Sequence, residues 1–130
     1  MNKEEFQFVE KKLGIDNQIL EAWKEKLELK MFNIGEIILN SSIVSKSILI
    51  LLAGKIRLRG ASDGQNQKIS SIGVMEAPEI IGFSSNLLKK PIEIVSAGSE
   101  CTFLYVPAHE WKSFSRQINN EAIEKKKDNL

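Results

Sequence analysis

The chain has one histidine, one cysteine and three prolines among 130 residues. A lone cysteine, Cys101, has no partner for an internal disulfide, which fits a reducing compartment. It lies in an apolar run and reads as a core residue. A lone histidine, His109, falls short of the two or three histidines plus a carboxylate that a metal-binding barrel of the cupin kind uses. Nothing in the sequence around Cys101 and His109 points to an activated thiolate. No P-loop, G-x-S-x-G or H-E-x-x-H pattern occurs. The expectation is a chain with no catalytic residues and no metal site.

Charge of one sign is also lacking. Eighteen Lys and Arg stand against 17 Asp and Glu, a formal net charge of +1. Such balance gives no long-range field for nucleic acid. The longest apolar run, residues 48–53, is far short of the ~20 residues needed to span a bilayer. The first residues, MNKEEFQFVEKK, are charged and hold no signal-peptide core. A cytoplasmic domain with no direct membrane insertion is expected. What is present is ordinary for a globular domain: 42% hydrophobic and 27% charged residues.

Along the chain, residues 2–13 carry Phe6, Val9 and Leu13 on one helical stripe, closed by Gly14. Asp16 is a good N-cap for a second helix running through Leu27, with Ile19, Leu20, Trp23 and Leu27 on one face. From Leu29 onward short β-rich runs alternate with turns: LELKMF, EIIL, SILILLA, KIRLR, KISSIGVM, IEIVSA and CTFLYV. The turn near Gly35 and the loop 60–67, with Asp63-Gly64, read as hairpin connections. Pro107 starts a terminal helix over 108–118, with Trp111 and Phe114 turned to the core. Residues 119–130 read as a charged tail or the start of a linker. This order predicts a mainly β fold with flanking helices: a jelly-roll barrel (a double-stranded β-helix), two N-terminal helices and one C-terminal helix. Residues 1–28 hold the N-terminal helices, 29–118 the barrel and closing helix, and 119–130 the tail.

The segment 80–97, IIGFSSNLLKKPIEIVSA, has the outline of an anion-gripping loop. Gly82 gives a turn, and Ser84 and Ser85 could cap a helix start or present N–H groups to an anion. Leu87 and Leu88 come next. Lys89 and Lys90 form a solvated turn or supply a positive charge. Pro91 then leads into a run holding Ile92 and Ile94. Elsewhere Lys55, Arg57 and Arg59 alternate with Ile56 and Leu58, giving one basic strand face. It is either solvated, an edge guard, or a dock for an acidic partner.

The runs FNIGEIIL, SILILLAGKIRLRG and IIGFSSNLLKKPIEIVSAGSECTFLYVPAHEWKSF, in that order, resemble the cyclic-nucleotide-binding domain family over residues 29–114. The resemblance implies a ligand loop with a glutamate directly after its glycine, accepting from a ribose hydroxyl, and an arginine after the turn for the cyclic phosphate. Here Phe83 stands at the glutamate position, and Pro91-Ile92-Glu93 holds no arginine. Pro78-Glu79 stands where the family has a turn glycine. A charge-assisted hydrogen bond is worth roughly 1.5–3 kcal/mol. Losing both partners weakens binding by at least about a hundredfold. The resemblance therefore implies a degenerate member with no cofactor, neither cAMP nor cGMP.

The aromatic residue after the loop glycine, the Leu-Leu turn and the proline also resemble the N-terminal regulatory domains of cyanobacterial-type bacteriocin- and toxin-exporting ABC transporters. That implies a non-enzymatic regulatory or docking domain of a larger membrane protein, on the cytoplasmic side of the inner membrane. Its partners would be the other domains of that protein. The alternative is a working sensor of a cyclic nucleotide or another small anion, with Phe83 stacking on a base and Lys89 or Lys90 meeting a phosphate. A transcription regulator needs a helix-turn-helix unit, and the residues after Asn120 are too few to form one, so no nucleic-acid partner is expected. A monomer or weak homodimer is expected.

Overall fold

The computed structural model describes residues 1–39, 46–60, 70–82 and 93–128. Helix α1 (Lys3–Leu13) opens with a capping box. Asn2 Oδ1 accepts from the Glu5 N–H at 2.8 Å, and the Glu5 carboxylate accepts from the Asn2 N–H at 2.9 Å. Glu4 and Glu5 in the first turn and Lys11 and Lys12 in the last complement the helix dipole. Gly14 ends the helix in the left-handed region. Helix α2 (Asn17–Trp23) is capped by Asp16, as expected, whose carboxylate accepts from Gln18 N–H. It stops four residues before the predicted end, with Lys26 N–H turning back on the Trp23 carbonyl. Leu20 and Leu27 are buried, but Ile19, expected on the same face, is exposed.

The described residues form two four-stranded antiparallel sheets. The first runs β1 (Glu28–Phe32), β8 (Cys101–Pro107), β3 (Ser47–Ala53), β6 (Glu79–Ile81). The second runs β2 (Ile37–Leu39), β7 (Glu93–Ala97), β4 (Lys55–Gly60), β5 (Ser70–Glu76). With the flanking helices this is the jelly roll that the sequence predicts. Strand β6 lies in a stretch whose sequence suggests loop. It pairs along β3, with Leu49 opposite Ile81 and Leu51 opposite Glu79.

Strand β3 explains its own apolar run. Ile48, Ile50 and Leu52 pack against the helices, while Leu49 and Leu51 pack between the sheets. A strand buried on both faces loses the polar alternation of a half-exposed one. Each such side chain contributes roughly 1.5–3 kcal/mol over its exposed state. Strand β8 divides likewise, with Leu104 and Val106 toward the helices and Cys101 and Phe103 between the sheets. The first sheet is thus the middle of three layers.

The turn at Gly35 is not a hairpin. β1 pairs with β8 and β2 with β7, so residues 33–36 carry the chain from one sheet to the other. The loop after Gly60 joins β4 to β5, which do pair antiparallel, but residues 61–69 lie outside the described residues.

The expected closing helix is shorter than 108–118. Pro107 leads into a single 3-10 turn (Ala108–Glu110) and helix α3 (Trp111–Ser115). Trp111 and Phe114 are buried, and Trp23 meets Phe114 edge-on with centroids 5.2 Å apart. Where the sequence reads as a charged tail, a further helix α4 (Glu121–Asp128) forms, and its one large aliphatic side chain, Ile123, is 1% exposed. Glu79 on β6 pairs with Lys126 of this helix at 3.0 Å.

Candidate functional site

Strand β6 delivers the chain to Gly82, which is buried and has φ 88°. Such a backbone favours glycine, since a Cβ there would crowd the adjoining backbone. Between Ile81 and Glu93 the chain passes from the first sheet to the second. Phe83, Ser84, Ser85, Leu87, Lys89, Lys90, Pro91 and Ile92 all lie outside the described residues. Ile94 is described and half-buried. Its strand neighbours Val95 and Ala97 are buried and face the space between the sheets. Ile94 instead lines a groove on the outer face of the second sheet, with Ile34, Ile37 and Arg57. The structure therefore does not bring Gly82 and Ile94 together on one wall.

The strand register across the sheet that leads to Gly82 gathers polar groups that the sequence alone does not flag. Glu28 lies opposite Tyr105, Tyr105 opposite Leu49, and Leu49 opposite Ile81. Tyr105 therefore stands two strand spacings, about 10 Å, from the strand that ends at Gly82. Its ring packs on the inter-sheet core. Lys30 Nζ lies 4.6 Å from the ring centroid and 3.9 Å from the Glu28 carboxylate. Burial pushes the Tyr105 phenol up to about 12, and the Glu28 carboxylate adds to the shift. The phenol is therefore a neutral donor at physiological pH. In the sequence Tyr105 sits in the run CTFLYV and reads as one more strand residue. Only the pairing of β1 with β8 places Glu28 and Lys30 beside it.

Deeper between the sheets the lining is apolar: Leu49, Leu51, Ile56, Ile81, Val95 and Phe103. Cys101, as expected, belongs to this core. Its thiol donates to the Lys55 carbonyl oxygen at 2.9 Å, which leaves it a packed and hydrogen-bonded group. His109 is 82% exposed, with Nε2 3.8 Å from the Glu110 carboxylate. It lies in the turn after β8, not beside Cys101. Among the described residues no three His, Cys, Asp or Glu side chains gather in a way that could hold a metal ion. No helix among them is long and apolar enough to cross a membrane.

The basic strand face is present in part. Lys55 and Arg57 are exposed, while the Arg59 side chain lies outside what is described. Lys55 pairs with Glu76 at 3.5 Å across β4 and β5. A second cleft of about 520 Å³ opens at the end of the roll, between the Gly54 turn and the start of α4. Lys12, Lys55, Glu76 and Asn120 line it.

No family model matches the chain, and no curated protein matches it in sequence. Solved structures match its fold. The regulatory domain of Toxoplasma gondii protein kinase A, solved with cAMP, superposes with a TM-score of 0.67 at 18% identity, over 96% of this chain and 49% of that one. The regulatory subunit of a cAMP-independent protein kinase A from Trypanosoma cruzi, bound to guanosine, gives 0.66 at 14%, over 86% and 41%. The Thermus thermophilus catabolite activator protein gives 0.60 at 14%, over 79% and 48%. The chain has the fold of the cyclic-nucleotide-binding regulatory domains. It spans about half the length, or less, of these neighbours.

Proposed function

We propose that this chain is a non-enzymatic regulatory domain in which the cyclic-nucleotide-binding fold is kept and the cyclic-nucleotide ligands are lost. The observation that carries this reading is the residue order after β6. The strand leads directly into a buried Gly82 with positive φ. The next residue is Phe83, and the segment that reaches β7 reads Pro91-Ile92-Glu93. Neither a carboxylate after the glycine nor an arginine before β7 is present. Among the described residues the lining deep between the sheets is apolar: Leu49, Leu51, Ile56, Ile81, Val95 and Phe103. A cyclic phosphate held against that lining alone would be an anion without a charged partner, which is costly in a low-dielectric site.

The fold neighbours support a regulatory role and leave the ligand open. One was solved with cAMP, and another, described as cAMP-independent, was solved bound to guanosine. The same roll thus accommodates different occupants, and side chains decide which. Calorimetric titration of the purified domain with cAMP and cGMP tests the reading. No heat of binding at high micromolar ligand is the expected result. Micromolar or tighter binding would sink it.

A second reading is a sensor with an altered pocket. It is favoured by the pairing of Glu28 with Tyr105, with Lys30 over the ring, which puts a neutral phenol and an ammonium on the same sheet as the strand that leads to Gly82. A thermal-shift screen of cyclic mononucleotides, cyclic dinucleotides and small anions separates the two. Stabilisation by one of them that is lost in Tyr105→Phe supports the sensor.

The domain is further proposed to work as the cytoplasmic part of a larger export protein of the ABC type. The sequence likeness over 80–107 supports this. Membrane and ATP-hydrolysing segments in the same reading frame are the expected finding. A helix-turn-helix unit in their place would assign the chain to transcription instead. Alone, the domain is expected to sediment as a monomer or weak dimer.

A further inference from the structure

We propose that the outer face of the second sheet, around Arg57, docks an acidic segment of a partner protein whose carboxylate is flanked by aliphatic side chains. Register places Arg57 between Val74 on β5 and Ser96 on β7. Three large aliphatic side chains surround this strand face in solvent: Ile34 at 72% exposure, Ile37 at 63% and Val74 at 61%. Together with Ile94, Ile34 and Ile37 wall a groove of about 470 Å³ that Arg57 also lines. Scattered exposed aliphatics need no explanation, but several on one sheet face around a cation form a patch.

The charges on this face select the occupant. Lys55 is matched by Glu76 at 3.5 Å. The Glu36 carboxylate is engaged within its own turn, accepting from Asn33 N–H at 2.8 Å. Arg57 makes no ion pair among the described residues, so among them its guanidinium is the unmatched charge of the groove. A guanidinium presents a planar fork that takes a carboxylate through two parallel hydrogen bonds. A purely apolar partner would strip water from Arg57 and leave it unpaired, and a basic one would be repelled. A second copy meeting the same face about a two-fold axis would bring one unmatched cation toward another. An acidic, aliphatic-flanked segment satisfies both the fork and the walls.

The walls are also pre-set. Gly35 N–H donates to the Ala97 carbonyl at 2.8 Å, Ala97 N–H to the Glu36 carbonyl at 2.9 Å, and Glu36 N–H to the Asn33 carbonyl at 3.1 Å. These bonds fasten the 33–36 turn to β7 and hold Ile34 at its tip. A surface that is already ordered loses little freedom on binding.

The test is to pan a phage-displayed library of linear peptides against the whole 130-residue protein. Enriched peptides are expected to carry Asp or Glu beside Ile, Leu or Val. A synthetic copy of the best peptide should bind Arg57→Glu and Ile37→Ser at least about tenfold more weakly, with Arg57→Lys between them and the wild type. Both positions are exposed, and unchanged thermal melts confirm that the variants fold. Failure to enrich any peptide, enrichment without acidic residues, or equal binding to Arg57→Glu overturns the proposal. A concentration-dependent dimer that Ile37→Ser abolishes would assign the face to a second copy and overturn it as well.

Discussion

Asn120 Nδ2 donates to the Lys12 carbonyl oxygen at 2.8 Å, joining the last helix to the end of the first. The same side chain caps α4, its Oδ1 accepting from Ala122 N–H at 3.0 Å and Ile123 N–H at 3.3 Å. Beside it, Asn119 N–H donates to the Leu13 carbonyl. One amide thus satisfies orphan groups at two helix ends. Asn120→Ala should lower unfolding free energy by about 1–2 kcal/mol, read as a shifted midpoint in urea at unchanged slope. An unmoved midpoint would show that the Asn120 cap and its bond to Lys12 do not contribute to the fold.

That helix also marks where the sequence is hard to read. NNEAIEKKKD holds a single large aliphatic residue, and one apolar position has no period. The informative signal is Asn120 as a cap two residues before Ala122, which matters only if Lys12 is near. The barrel is legible because both-face burial leaves continuous runs such as SILILLA, and Asp16 and Gly14 announce their helix ends locally. Strand β6 is hidden because Pro78 and Gly82 bracket it so closely that it looks like turn. The crossover at Gly35 mimics a hairpin because turn chemistry is the same whether the flanking strands pair together or in different sheets. Of the site, Gly82 is visible in the sequence, whereas Tyr105, Lys30 and Glu28 meet only through pairing between distant strands.

Gly54 joins β3 to β4 at φ 103°, and a Cβ there would run into the Glu100 carbonyl oxygen. Backbone atoms cannot yield as a flexible side chain does. Gly54→Ala should therefore destabilise the domain by about 2–4 kcal/mol, combining the strained φ with the displaced 98–101 turn. Gly35→Ala is the control. It has a positive φ as well, but open space around the added Cβ, and should cost only about 1 kcal/mol. Equal losses in the two variants would refute the steric part.

Tyr105 is the only tyrosine, so phenolate absorbance reports it alone. Its folded value is raised from 10.0 to about 12, by burial first and then by Glu28. The folded state holds the phenolic proton more firmly than the unfolded state does. This contribution is complete below about pH 10 and is lost as pH climbs through about 12. Such a shift sets a ceiling of about 2.7 kcal/mol, and screening at a half-buried site reduces it to about 1 kcal/mol. Stability of the wild type should fall more steeply between about pH 10 and 12 than that of Tyr105→Phe. Parallel curves for the two proteins would contradict the shift.

If the ligands of the loop are what was lost, returning them should restore binding. Phe83→Glu supplies a carboxylate directly after Gly82, and Ile92→Arg supplies a guanidinium just ahead of β7. Each charge-assisted hydrogen bond contributes roughly 1.5–3 kcal/mol, so either change alone should tighten cAMP binding about tenfold and both together about a hundredfold. Calorimetry of the double variant against wild type measures this. The outcome also separates two causes of weak binding. A gain shows that the roll still frames a cyclic nucleotide and that only the side chains were missing. A double variant that melts like wild type yet binds no better would place the obstacle in the apolar space between the sheets, where Leu49, Ile81 and Phe103 already pack, and the domain would then act through its surface alone.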